Sequence, residues 1–164
     1  MELYILRHGL ARDKEDWAPQ DDRDRPLTGA GRSRTKDVAN GLQDLGISFD
    51  RIITSPYRRA LETAKIVSKV FDMKKQLERW SSLAVDGDPE RLVRDLSRQK
   101  WRSVLLVGHE PYLSRLISVL VAGNTGMIMN LKKAGLVKIS SEKLRYGRCA
   151  SLDWLMPPKI LTEL

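Results

Sequence analysis

Cysteine occurs once in the 164 residues, at Cys149, so no internal disulfide can form. That excludes a stapled secreted scaffold and a four-cysteine zinc site, and points to a reducing, cytoplasmic setting. Histidine is nearly as scarce, with only His8 and His109, and two histidines so far apart with no cysteines nearby do not suggest zinc. Aromatic residues make up 6% of the chain and are not interleaved with basic ones, as a stacking platform for single-stranded nucleic acid requires. Long apolar runs are missing as well. The most apolar stretch, Leu113 to Ala122, contains Arg115 and falls far short of a bilayer span. At the start of the sequence, Arg7 arrives after too few apolar residues for a signal peptide. No Gly-Lys-Ser/Thr phosphate loop occurs, which argues against ATP hydrolysis.

What is present, 41% hydrophobic and 30% charged residues, suits one globular domain spanning 1–164. A chain of this length buries roughly two-thirds of its unfolded surface and needs neither disulfide nor metal to fold. The net charge of +8 is uneven: residues 1–50 sum to −2, and residues 51–100 and 101–164 to +5 each. The surplus is scattered, with Lys74-Lys75 and Lys132-Lys133 as isolated pairs, so it reads as solvated surface and not as a nucleic-acid or membrane face. Asp21-Asp22-Arg23-Asp24 lacks the spaced ligands, central glycine and terminal glutamate of a calcium loop. Gly29-Ala30-Gly31 follows a polar loop, not a strand, so it is no dinucleotide loop.

The pattern predicts a buried strand over Glu2 to Leu6, then a long acidic loop from Leu10 to Pro26. A helix capped by Thr28 follows, with Val38, Leu42 and Leu45 on its apolar face and Gly46 as its stop. Arg51 to Thr54 reads as a second strand. Ser55-Pro56 then has the form of an N-cap and first helical residue for a helix to about Val70. Asp88-Pro89 repeats that form for a helix to about Arg98. Ser103 to Val107 is a continuous apolar run suited to the middle of a parallel sheet, and it leads into a helix ending near Ala122. Gly135 to Ser140 and Cys149 to Leu155 read as late strands. The alternation predicts a three-layer α/β/α fold around a mostly parallel sheet.

Ligands of such sheets bind beyond the carboxyl ends of the strands. Three of those ends carry Arg7-His8, Ser55-Pro56-Tyr57-Arg58-Arg59 and His109. Either histidine alone would ordinarily be a satisfied structural residue. Both at equivalent strand ends, together with arginines, point to chemistry on an anion.

Four ordered motifs carry a resemblance over almost the full length: Leu6-Arg7-His8-Gly9, Arg25-Pro26-Leu27-Thr28, Ser55-Pro56-Tyr57-Arg58-Arg59-Ala60-Leu61-Glu62-Thr63 and Val107-Gly108-His109-Glu110-Pro111. The set resembles the histidine phosphatase superfamily, whose fold is phosphoglycerate mutase-like, and within it the SixA-type phosphohistidine phosphatases. Lys132-Lys133-Ala134-Gly135 and the closing Trp154-Leu155-Met156-Pro157-Pro158 resemble that branch too. The resemblance implies that His8 is a nucleophile that takes up a phosphoryl group, which water then removes. A neutral imidazole can attack at pH 7 if one ring nitrogen is held as donor and the other stays free. Arg7 and Arg59 would present bidentate donors to the phosphoryl oxygens, and His109 a further hydrogen bond aided by the helix behind it. The motif places Arg59 in the pocket and Arg58 on the surface. Gly9 and Arg25 are assigned to substrate binding, with an ion pair that ties down the acidic loop as the other reading of Arg25. Ser55 is read as a helix cap.

Mutase-like relatives carry a carboxylate acid in the middle of the chain. Here the corresponding position is Val85, with Asp86 one residue off and Asp88 a helix cap. An alkoxide leaving group needs a proton, which a general acid supplies for about 10²–10⁴ in rate, whereas imidazole leaves from phosphohistidine without one. The expected function is therefore a metal-independent, cofactor-free phosphohistidine phosphatase. It is expected to act as a cytoplasmic monomer on a phosphotransfer protein of a signalling system. Two rivals stand beside it: a small-molecule phosphomonoesterase using Asp86, and a non-catalytic phosphate- or nucleic-acid-binding module.

Overall fold

The computed structural model describes residues 1–164. Four strands run parallel: β1 (Glu2–Arg7), β2 (Arg51–Thr54), β3 (Leu77–Arg79) and β4 (Ser103–Gly108). Two more are antiparallel, β5 (Leu136–Ser140) along β1 and β6 (Ser151–Met156) along β5. The order across the sheet is β3-β2-β4-β1-β5-β6, so β4 and β1 lie side by side at its centre.

Alternation along the strands feeds two separate cores. Leu3, Ile5, Ile53, Val104 and Leu106 face helices α3 (Pro89–Ser97) and α4 (Tyr112–Ala122). Tyr4, Leu6, Ile52, Leu105 and Val107 face α1 (Gly29–Asp44), α2 (Arg58–Val70) and α5 (Pro158–Thr162). The continuous apolar run of β4 is explained by this: it is covered on both faces, and Val104 to Val107 are fully buried. The three-layer α/β/α architecture read from the sequence is the one observed. The last helix sits tight on the first. A Cβ on Gly41 would lie 1.9 Å from the Leu161 carbonyl oxygen, so only glycine permits that approach. No helix is long and apolar enough to cross a membrane.

Local signals act as the sequence predicts at several boundaries. The Thr28 hydroxyl accepts from the Gly31 N–H at 2.9 Å, and the Asp88 carboxylate accepts from Glu90 and Arg91 at 3.0 and 3.1 Å. Four expectations need correction. Helix α1 ends at Asp44, and Leu45, expected on its apolar face, is exposed. Helix α2 begins at Arg58, not at Pro56: Pro56 and Tyr57 form a bend, Tyr57 has extended φ/ψ, and the Ser55 hydroxyl is engaged elsewhere. The acidic loop is not structureless: Ala11 pairs with Leu27 in an antiparallel bridge, and short 3₁₀ turns form at Lys14–Asp16 and Pro19–Asp24. The edge strand β3 and the short α5 have no counterpart in the sequence reading; three and five residues carry too little periodicity to show.

Candidate active site

Past the ends of β1 and β2 the chain keeps pairing with β4 for one more residue. The His8 N–H donates to the Gly108 carbonyl at 3.0 Å, and the Ser55 N–H to the Val107 carbonyl at 3.0 Å. That continuation brings His8, Ser55 and His109 side by side at the carboxyl edge. The His8 and His109 rings lie 5.2 Å apart, and both residues are buried, at 5% and 1% exposure.

His8 is fixed by its own neighbour. Its Nδ1 lies 2.7 Å from the Gly9 carbonyl oxygen, which can only accept, so Nδ1 carries the proton and Nε2 keeps its lone pair. Nε2 has no hydrogen-bond partner in the protein. Burial pushes the His8 pKa down to about 3, against the Gly9 hydrogen bond, with Arg59, Arg7 and Arg25 pushing further down. A neutral imidazole with a free Nε2 is a nucleophile ready at pH 7.

Gly9 differs from expectation. Its carbonyl holds His8, and its N–H donates to the Thr63 hydroxyl at 3.0 Å, so both backbone groups are used inside the protein and neither is free for substrate. The Thr63 hydroxyl in turn donates to the Arg59 carbonyl at 2.7 Å, tying the Arg-His-Gly segment to helix α2. A Cβ on Gly9 would meet the Thr35 hydroxyl at 2.5 Å.

The arginines divide as the motif suggests. Arg59 is 4% exposed, whereas the Arg58 side chain is 50% exposed and pairs with Glu62 at 2.9 Å. Arg59 donates through Nη1 and Nη2 to the carbonyl and carboxylate of Asp22, at 2.9 and 3.2 Å. Arg7 donates through Nη1 to the Leu131 carbonyl at 3.0 Å. Burial lowers the pKa of both, opposed chiefly by Asp22 at Arg59 and by Glu110 at Arg7. For Arg25 the structure shows the ion pair that ties down the acidic loop. Arg25 pairs with Asp22 at 3.1 Å and donates to the Arg12 carbonyl at 2.7 Å, yet its charge also reaches His8 and His109.

His109 exposes what the sequence reading missed. Its Nε2 lies 2.7 Å from the Ser55 hydroxyl, which also accepts from the Tyr57 N–H at 3.2 Å. The Tyr57 N–H takes one lone pair of the Ser55 oxygen, and when the hydroxyl gives its proton to Nε2, Nδ1–H is the outward donor. Burial, then the neighbouring His8, Arg59, Arg25 and Arg7, lower the His109 pKa to about 2. Ser55 thus orients an imidazole instead of capping a helix. Tyr57 also belongs here, edge-on to His109 at 5.3 Å and carrying Arg59 and Arg23 on its ring. Asp86 is exposed in an open groove of about 340 Å³ that Tyr57, Ser82 and Arg91 also line, so the groove adjoins the site through Tyr57.

Three buried nitrogens have no hydrogen-bond partner: Arg7 Nε, Arg59 Nε and His109 Nδ1. Buried, unsatisfied polar groups and incompletely paired guanidinium charges are costly, and an oxyanion is the kind of partner that suits them. The arrangement is that of an anion site with a nucleophile on one side.

The family model of the histidine phosphatase superfamily (branch 1) matches residues 3–84, which include Arg7, His8, Gly9, Arg25 and Arg59 but not His109. An uncharacterized protein of Picosynechococcus is 40% identical over 170 residues, covering 96% of this chain and all of its own. The phosphohistidine phosphatase SixA of Escherichia coli is 26% identical over 161 residues, covering 96% of this chain and 94% of its own. A solved structure of the protein histidine phosphatase SixA complexed with tungstate superposes with a TM-score of 0.82. It is 25% identical and covers 98% of this chain and 99% of the other.

Proposed function

The chain belongs to the histidine phosphatase superfamily, in its SixA-type branch, and we propose that it removes the phosphoryl group from phosphohistidine on a signalling protein. The observation that carries the catalytic part is the His8–Gly9 hydrogen bond, which leaves a neutral Nε2 free beside Arg7, Arg59 and His109.

In the first step the His8 Nε2 lone pair attacks phosphorus while the P–N bond to the substrate ring, protonated on its other nitrogen, breaks; the electron pair goes to the departing nitrogen and the ring leaves as neutral imidazole. The phosphoryl oxygens are held by Arg7, Arg59 and Arg25 and by a hydrogen bond from His109 Nδ1. Arginine forks match the three equatorial oxygens, and their charge acts strongly in a dry site. In the second step water attacks phosphorus, the bond to His8 Nε2 breaks, and inorganic phosphate leaves with His8 neutral again. Charge stabilisation by arginine and histidine gives this scheme no need of a metal.

Two observations support a P–N substrate over a phosphate ester. No carboxylate is hydrogen-bonded to either histidine; Asp22 is tied to two arginines, and Glu110, whose charge reaches Arg7, is engaged by the Ser114 N–H and hydroxyl. The similarity to SixA proteins supports the same class.

The test is a rate comparison between a phosphotransfer domain phosphorylated on histidine with phosphoramidate and a panel of sugar and glycerate phosphates. A preference of at least a hundredfold in kcat/KM for the phosphohistidine protein is expected. Faster turnover of a monoester, lost in Asp86→Asn, would instead establish the phosphomonoesterase.

A further inference from the structure

We propose that Asp22 is a positioning residue that holds Arg25 and Arg59 together as one half of the phosphoryl cradle. This rests on the phosphoryl-transfer reading of the site and adds a residue that neither the motifs nor the sequence pattern supplies.

The geometry is a bridge. One carboxylate oxygen of Asp22 lies 3.1 Å from Arg25 Nε, the other 3.2 Å from Arg59 Nη2, and the Asp22 carbonyl takes Arg59 Nη1 at 2.9 Å. The two arginines come from different parts of the fold, Arg25 from the loop before α1 and Arg59 from the first turn of α2. Bringing two guanidinium groups together costs Coulomb energy, and a shared carboxylate offsets it while fixing the planes of both forks.

The bonds also show which side of the arginines Asp22 takes. It occupies the Nη edge of Arg59 and leaves Arg59 Nε among the unpartnered nitrogens, with Arg7 Nε and His109 Nδ1. Arg25 has Nε on Asp22 and Nη1 on the Arg12 carbonyl, so its Nη2 stays free. The charges that act most on His8 are Arg59, Arg7 and Arg25, all cationic. Asp22 therefore orients the two arginines through Arg25 Nε and the Arg59 Nη groups and leaves Arg59 Nε and Arg25 Nη2 unpaired. The same 3₁₀ turn places Arg23 on the Tyr57 ring at 5.5 Å, and Tyr57 packs against His109. The acidic loop thus braces two sides of the site.

A positioning role predicts coupling that general stability does not. Calorimetric titration with inorganic phosphate, and with tungstate as a second probe, should be run on the wild type, Asp22→Asn, Arg25→Ala and the double variant. Asp22→Asn keeps the shape of the side chain and the backbone contact to Arg59 but removes the charge. We expect each single variant to weaken phosphate binding about tenfold, and the double variant to lie within about threefold of Arg25→Ala, because much of the Asp22 effect passes through Arg25. Melting temperatures should stay close to the wild-type value. Tighter phosphate binding by Asp22→Asn would show that the carboxylate competes with the anion and would overturn the proposal. Fully additive losses, or unchanged binding in Asp22→Asn, would overturn it as well. Failure of the wild type to bind either oxyanion would overturn the phosphoryl-site reading itself, which separates the two claims.

Discussion

The Ser55 hydroxyl lies 2.7 Å from His109 Nε2, a contact that makes Nδ1–H the outward donor when the hydroxyl gives its proton to Nε2. Ser55→Ala removes that selection and leaves Nε2 buried without a partner. Loss of one positioned hydrogen bond of this kind costs roughly 1–3 kcal/mol. A fall in kcat/KM of about tenfold or more is expected, with the fold intact by circular dichroism. Wild-type kinetics in Ser55→Ala would show that the contact is only packing.

Adjacent arginines should behave in opposite ways. Arg59 is buried among the site donors, whereas Arg58 is half exposed on a surface ion pair. Arg59→Ala should reduce turnover by about a hundredfold or more, as loss of a charge-stabilising donor does. Arg58→Ala should change turnover less than twofold, since exposed pairs contribute little. Steady-state kinetics on the same substrate decides between them.

Thr63 joins the nucleophile's segment to α2 through the Gly9 N–H and the Arg59 carbonyl. Thr63→Val conserves volume but strands the buried Gly9 N–H, at a cost of about 1–3 kcal/mol. Urea titration should show that loss, and activity should fall with it because Gly9 also orients His8. A stability equal to wild type would contradict the linking role.

Both histidines titrate far lower in the fold, at about 3 and 2, than the ordinary value of 6.5. Below pH 6.5 the unfolded chain therefore binds more protons than the native one. Stability is complete above that pH and is lost as the solution is acidified toward pH 3. At pH 5 each histidine accounts for about 2 kcal/mol of that loss. With only two histidines in the chain, few other groups ordinarily titrate between pH 5 and 7. Denaturation at pH 7 and pH 5 should show a marked drop in the wild type and about half of it in His8→Gln. A flat profile in the wild type would contradict the burial of neutral imidazoles.

Much of this was legible in the sequence, for physical reasons that differ by element. The sheet centre declared itself because β4, covered on both faces, must be apolar throughout. Thr28 and Asp88 were readable as caps because capping is local. His8, Arg7, Arg59 and His109 stood out through motifs at strand ends, and the structure brings all four together. Ser55 was misread because Ser-Pro is good local grammar for a helix start, and a tertiary contact to His109 overrides it. Asp22 was invisible because its partners are set by the folding of an aperiodic loop. The motif assigns Gly9 to substrate, but its backbone is consumed by His8 and Thr63, which no spacing rule reveals.

The central claim is that His8 Nε2 becomes covalently phosphorylated during turnover. Rapid quenching in alkali of enzyme turning over a ³²P-labelled phosphohistidine protein, followed by peptide mapping, tests it most directly. The account predicts alkali-stable, acid-labile phosphate on the peptide containing His8, absent from His8→Ala, which also loses turnover. Sustained turnover with no phosphate trapped on His8, or undiminished turnover by His8→Ala, would contradict it.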